Sequence, residues 1–365
     1  MNVLYDGVAF ENSYQRGIQR AYRELIGHLP AGVDAVLTLT EKTKAELPAR
    51  GRVVSLGMPG VGLLPRRLRR AIQPTLSGPR RRKMERWCGV FESTYYTLPE
   101  GRVPTVVRVH DLIPERHGRF FEAAWAAREI ARRRTAIERA DRIIAISAAT
   151  ARELEHFHPT SKGKTTVVHW GHGHLPRVGP MPGKDPAYAL YVGDRAGYKN
   201  FGVVLSAVES SAWPRSVGLA VVGPRWTQEE ERRVASPALR GVVRHHGRVH
   251  DEELARLYAE ASCAIASSID EGFGFPLLEG QGAGVPVVCS DIAVFREVAG
   301  EAGALFFDPV DPGSLAERVK AGLASDVRAG LVSVGTANLK RFSWDSCARA
   351  SVEVYKMAAT SAENR

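Results

Sequence analysis

Two glutamates eight positions apart, Glu271 and Glu279, stand in the segment IDEGFGFPLLEGQGAGVPVVCSD, residues 269–291. Cys263–Ala266 reads as a strand ending in small residues, Glu271 to Gly274 as a turn, and Pro276 as the first position of a helix reaching about Ala283. Glycines let backbone N–H groups approach a ligand closely, and a helix N-terminus favours an anion such as phosphate. Glu271 falls in the loop and Glu279 about one turn inside the helix. They cannot share a proton over one bond; they are placed to grip two parts of one long ligand. Glycoside hydrolysis needs carboxyls ~5–10 Å apart across a single bond, which this spacing permits and nothing else in the chain supports. On these residues alone, a Gly-rich strand-to-helix turn with two solvated glutamates is an equally open reading.

The elements that must position these residues alternate between short β-branched runs and longer helical stretches. Candidate strands are Val3–Tyr5, Ala35–Leu37, Val53–Ser55, Thr105–His110, Ile143–Ile146, Thr166–His169, Ala189–Val192, Gly218–Val222, Val242–His245, Cys263–Ala266, Pro286–Cys289 and Ala304–Phe306. Amphipathic helices are expected at Gln15–His28, Glu122–Ala140 and Glu252–Ala261, and a last one from Trp344 to Met357. Strands alternating with helices predict parallel sheets of βαβ units. The alternation breaks at Leu175–Ala187, rich in Pro and Gly, which reads as a linker between two doubly wound domains. In such folds ligands bind at the carboxyl ends of the strands, which places the expected site in the cleft between facing domains.

The length of 365 residues fits two domains, and 44% hydrophobic with 25% charged residues excludes disorder as the main state. No apolar run reaches the ~18 residues that span a bilayer. The opening run MNVLYDGVAF lacks the pattern of a secretory signal, and Cys88, Cys263, Cys289 and Cys347 are too scattered for a disulfide framework or zinc site. Both features predict a reducing, cytoplasmic setting. The net charge of +10 is uneven: residues 1–180 hold 30 basic and 17 acidic side chains, the remainder 20 and 23. Arginines cluster at Arg66, Arg67, Arg69 and Arg70, at Arg80–Lys83 and at Arg132–Arg134. Such clusters attract phosphates, anionic lipid or nucleic acid, or form a solvated face. Leu64, Leu68 and Ile72 recur every four residues among the first cluster, as in a basic amphipathic helix at the inner face of a plasma membrane. No zinc-finger spacing or interleaved aromatics support nucleic acid.

The segment from Glu271 to Glu279 resembles the Glu-x7-Glu motif of retaining GT-B glycosyltransferases of family 4 (glycosyltransferase group 1), and together with the pair His110-Asp111 it is similar to bacterial mannosyltransferases. The resemblance continues in GRVHDEELARLYAEASCAIASS upstream and SDIAVFREVAGEAGALFFDPVDPGSLAE downstream. It implies a GT-B fold of two facing Rossmann-like domains: residues 1–176 binding the acceptor, a linker at 177–187, residues 188–343 binding a nucleotide sugar, and a terminal helix at 344–365 packing back toward the first domain.

By that resemblance Glu279 would hydrogen-bond the ribose and Glu271 the donor sugar. Backbone N–H groups of Phe273, Gly274 and Phe275 would meet the sugar and diphosphate, with Leu277 packing nearby. In LYVGDRAGYKNF, Lys199 stands where the family places a lysine on the donor phosphates. Arg195, four residues before it, departs from the usual offset and would be a second phosphate clamp. In VVRVHDLIPERH, His110 would face the donor sugar with Asp111 beside it. SYQRGIQRAYREL resembles the family's Gly-rich loop, with Gly17 near the diphosphate, although relatives carry more glycines there. Ser147, in RADRIIAISAATAREL, fits a helix cap better than a substrate contact. His169, His172 and His174 could suggest a metal, but the family needs none, and they read as structural.

The resemblance thus implies a metal-independent, retaining transferase with no cofactor. It would move a sugar from a nucleotide diphosphate, GDP-mannose first, to a glycan or lipid-linked acceptor hydroxyl. Its rivals are a UDP- or dTDP-sugar-dependent transferase, a GT-B protein that binds or epimerises a nucleotide sugar without transfer, and a basic interaction protein.

Overall fold

A computed structural model of the chain describes residues 1–11, 16–41, 43, 45–56, 78–173, 175–176, 187–195 and 197–363. The expected linker at 177–187, except Ala187, and the cluster Arg66, Arg67, Arg69 and Arg70 with its leucines lie outside the described residues, as does His174. Two units divide the chain. The first comprises Met1–Glu115, Glu122–Gly171 and Ser343–Arg365; the second comprises Arg116–Phe121 and His172–Phe342.

The first unit is built on a seven-stranded parallel sheet of β1 (Asn2–Asp6), β2 (Asp34–Leu39), β3 (Arg52–Ser55), β4 (Val90–Ser93), β5 (Thr105–Val109), β6 (Arg142–Ala145) and β7 (Thr165–Val167), in the order β3-β2-β1-β4-β5-β6-β7. Helices α1 (Val8–Glu11), α2 (Arg16–Gly27), α3 (residues 78–87), α4 (Ile113–Arg116), α5 (Ala123–Arg139) and α6 (Ala148–Phe157) occur between the strands, α4 ending on the first residue of the second unit. Parallel strands covered on both faces carry near-continuous apolar runs, and β5 is buried at every position.

The second unit holds six parallel strands, β8 (Ala187–Val192), β9 (Val217–Val222), β10 (Val243–Gly247), β11 (Cys263–Ala266), β12 (Val287–Ser290) and β13 (Leu305–Phe307), in the order β10-β9-β8-β11-β12-β13. Around them run α7 (Phe201–Glu209), α8 (Gln228–Val234), α9 (Asp251–Glu260), α10 (Phe275–Gly282), α11 (Ala293–Ala299), α12 (Pro312–Gly322) and α13 (Ser325–Asn338). The last helix, α14 (Trp344–Glu363), belongs to the first unit.

The two parallel, doubly wound α/β sheets are those expected, with one addition. Strand β4, VFES, lies between β1 and β5, where no strand was expected, because two of its four residues are polar yet wholly buried. Among the described residues no helix is long and apolar enough to cross a membrane.

Candidate functional site

Strand β11 runs between β8 and β12, and the loop at its carboxyl end is sewn to the 3-10 turn Gly197–Lys199. Ile269 N–H donates to the Tyr198 carbonyl at 2.9 Å, and Ser267 Oγ donates to the Lys199 carbonyl at 2.8 Å. Across this seam Lys199 Nζ donates to Glu271 Oε1, which also accepts from Ser268 Oγ at 2.8 Å. Burial alone would lower the lysine's pKa, but the Glu271 carboxylate outweighs it and the pKa is raised. Lys199 is therefore a fixed cation, only 22% exposed.

Helix α10 starts on Gly274, whose φ of +103° suits glycine. Pro276 takes the second helical position rather than the expected first, and the helix ends on Gly282 with Ala283 as its cap. Glu279 Oε2 accepts from Tyr258 Oη of α9 at 2.7 Å, so the two glutamates have separate partners. Phe273 and Leu277 are buried; Phe273 packs edge-on against Phe275 and Phe342. Glu271, Lys199, Gly274 and Glu279 thus share one end of the second sheet, around the N-terminus of an eight-residue helix.

Arg195 is held differently from a clamp free to close on phosphate. Its guanidinium makes two bonds to Glu230, at 2.7 and 3.1 Å, and donates to the carbonyls of Pro224 and Arg225. It also lies 4.4 Å over the Trp226 ring. Partial burial works to raise the Glu230 carboxyl, but Arg195 holds it below its ordinary pKa. Of the guanidinium nitrogens only Nη1 is buried without a partner.

In the first unit, His110 directly follows β5 and is 5% exposed. Its N–H donates to Tyr96 Oη at 3.3 Å, its ring stacks on Trp170 at 6.1 Å and 12°, and Tyr22 and Tyr96 meet it edge-on. Nε2 lies 3.4 Å from the Thr94 carbonyl and Nδ1 is buried without a partner. Burial pushes the imidazole down to about 3, with the charge of Arg108 adding and that of Asp111 opposing. At neutral pH it is uncharged, and with Nε2–H turned to Thr94, Nδ1 is left as an acceptor. Asp111 Oδ1 accepts from Ile113 N–H at 3.1 Å and from Arg133 at 3.0 Å. Burial works to raise its carboxyl, yet Arg133 holds it below the ordinary value.

Gly17 is the second residue of α2, exposed and with open space around it, rather than part of a described loop. Ser147 caps α6, accepting from Thr150 N–H at 3.0 Å, as expected. Among the described residues no three His, Cys, Asp or Glu side chains gather to hold a metal ion.

A buried polar cluster beneath His110 was not anticipated. Arg108 of β5 pairs with Glu92 of β4 at 2.8 Å, both side chains wholly buried. Tyr22 donates to Glu92 at 2.9 Å and Tyr355 of α14 donates to its other oxygen; Arg108 donates to Ser351 of α14 at 2.9 Å. The available signal was a lone arginine in the apolar run VVRV, which demands a buried counter-charge.

Residues 180–329 match the family described as Glycosyl transferases group 1, and residues 16–172 that described as Glycosyltransferase Family 4. O-antigen chain mannosyltransferase B of Escherichia coli is 34% identical over 175 residues, 47% of this chain and 46% of that one. D-inositol 3-phosphate glycosyltransferase of Streptomyces scabiei is 30% identical over 248 residues, 61% of this chain and 55% of that one. The chain thus spans about half the length of these relatives. The crystal structure of Anabaena Alr3699/HepE in complex with UDP and glucose has a TM-score of 0.72, covering 97% of this chain and 98% of that one at 14% identity. That likeness establishes the fold.

Proposed function

The chain belongs to the family 4 (group 1) glycosyltransferases of the GT-B fold, and on that premise we propose that it transfers a hexose from a nucleotide diphosphate to an acceptor hydroxyl with retention of configuration. The observation that carries the reading is the Lys199–Glu271 pair beside the N-terminus of α10, with Glu279 inside that helix. A donor with a diphosphate between sugar and ribose needs a hydrogen-bond acceptor, a cation and a second acceptor, in that sequence.

An ammonium has three N–H donors; one goes to Glu271, and we assign the others to the donor's phosphates. Glu271 accepts from hydroxyls of the sugar and Glu279 from those of the ribose. The bond from the sugar's anomeric carbon to the diphosphate oxygen breaks as the acceptor oxygen bonds to that carbon on the same face. The acceptor's proton passes to the departing phosphate, so no protein nucleophile is needed. Charge growing on the diphosphate is met by Lys199 and the α10 N-terminus rather than by a metal ion. Backbone N–H groups from Phe273 to Phe275 and the unsatisfied Nη1 of Arg195 are assigned to the same phosphates, Gly17 to the approach of the diphosphate, and neutral His110, held beside Asp111, to a sugar hydroxyl.

GDP-mannose is the proposed donor, supported by the mannosyltransferase among the relatives. A donor carrying another sugar, on UDP or dTDP, is the second reading, favoured by the relative named only as a glycosyltransferase. The proposed acceptor is a glycan or lipid-linked hydroxyl, with the basic face of the first unit against anionic lipid at the cytoplasmic membrane surface. Exposed Arg80, Arg82, Lys83 and Arg86 of α3 are its described part.

Thermal unfolding with GDP, UDP, dTDP and ADP and their sugar conjugates tests the donor assignment. Ligand at 100 times its dissociation constant adds about 2.7 kcal/mol. One base should raise the melting temperature clearly in the parent chain and not in Glu279→Ala. No shift with any nucleotide or conjugate, together with no sugar transfer, would refute the proposal.

A further inference from the structure

Packing, more than hydrogen bonding, fixes the ring of His110: the contact of Nε2 with Thr94 is long and Nδ1 has no partner. What lies parallel to it is Trp170, 2% exposed, with its plane 12° from the imidazole. Trp170 is itself held on several sides. The Arg108 guanidinium lies 4.3 Å over the indole, Tyr22 meets it edge-on at 5.6 Å, and Trp344 of α14 is tilted against it at 5.9 Å. A side chain on Gly171 would come within 2.5 Å of Trp344, so the backbone next to Trp170 rests directly on α14. Arg108 in turn cannot drift, because Glu92 and Ser351 fix its guanidinium.

We propose that Trp170 is the positioning residue of His110: its indole sets the plane of the imidazole and seals Nδ1 from water, and the Glu92–Arg108 pair with α14 locks the indole. The inference rests on the reading that His110 meets the donor sugar, and deepens it by naming what aims the ring. A neutral ring held in one plane meets a sugar hydroxyl from a set direction, and a ring free to rotate about its side-chain bond would lose that selectivity. The titratable and charged groups facing His110 are Asp111 and Arg108 from β5 and its end, Tyr22 of α2, Tyr96 after β4 and Arg133 of α5. Trp170 carries no charge and acts by excluding water, so its removal leaves those groups in place.

The test follows the imidazole itself, by nitrogen-15 NMR of the full chain labelled at histidine, with the His110 signal assigned from its loss in His110→Gln. In the parent the ring should remain a single neutral tautomer through pH 5. In Trp170→Met, water reaching Nδ1 should raise the titration by about one unit or more and mix the tautomers. Trp170→Phe should restore most of the parent behaviour. Sugar transfer by Trp170→Met should fall about ten- to a hundredfold in kcat, while nucleotide-induced thermal shifts stay unchanged. A folded Trp170→Met chain whose His110 titration and tautomer match the parent's would overturn the proposal. Should Trp170→Met not fold, Trp170→Leu decides: a titration displaced in the same direction supports the platform, and a profile identical to the parent's overturns it. A displaced titration with undiminished transfer leaves the platform standing and overturns instead the assignment of His110 to the sugar.

Discussion

His110 and Lys199 show two outcomes of one contest, burial against charge. At His110 burial prevails and the ring is neutral; at Lys199 the Glu271 carboxylate prevails and the ammonium persists. The histidine has a consequence for stability. Above pH 6.5 it is neutral folded or unfolded. As pH falls below 6.5, the unfolded chain takes up a proton that the folded ring refuses until about pH 3. Stability therefore declines with falling pH across that window, by up to about 1.4 kcal/mol per unit. Asp111, held low, adds a separate loss only below its ordinary value of 3.8. Between pH 6.5 and 5, the unfolding free energy read from urea melts should fall by about 1.6 kcal/mol more in the parent than in His110→Gln; equal slopes would disprove the neutral, sealed ring. The spacing of Glu271 and Glu279 was legible in the sequence because one loop and one helix start relate them. Their distant partners were not, since Tyr258 and Lys199 meet them only through the way the strands and helices assemble. Nor did Arg195 announce that Glu230, 35 residues on, holds it.

Helix α10 depends on one backbone conformation at its start. A methyl group at Gly274 would sit 2.9 Å from both Leu277 Cδ1 and Phe295 Cε1, at a φ that L-residues rarely adopt. Gly274→Ala should destabilise the second unit by about 1–3 kcal/mol and weaken nucleotide binding; melting with and without nucleotide reads both. A variant as stable and as tightly binding as the parent would mean that the helix start is not under this constraint. Elements of this kind, a glycine turn feeding a helix after an apolar strand, are written plainly in sequence. So are β8, β9 and β11, whose apolar runs can only be interior strands. Strand β4 is the counter-example: VFES reads as a loop because hydrophobicity is the usual mark of burial, and here an ion pair with the neighbouring strand takes its place.

At the scale of the whole molecule, the alternation of strands and helices was enough to predict two parallel-sheet domains. That α14 supplies Ser351 and Tyr355 to a charge pair in the first sheet was not readable, because the contact spans 243 positions between Arg108 and Ser351. Removing residues 343–365 should open the Glu92–Arg108 pair to solvent. Hydrogen exchange in β4 and β5 should rise sharply, while the strands of the second unit keep their protection. Unchanged exchange in β4 would show that the helix only decorates the sheet. The same connectivity sets a timetable for biogenesis. At roughly 5–20 residues per second on the ribosome, Arg108 and Glu92 wait about 12–50 s for Ser351 and Tyr355 to be synthesised, and the whole second unit emerges in the interval. The C-terminal unit can therefore mature first, while the nascent N-terminal sheet, with a half-sheathed ion pair at its centre, is the stretch of polypeptide that chaperones have most cause to shelter.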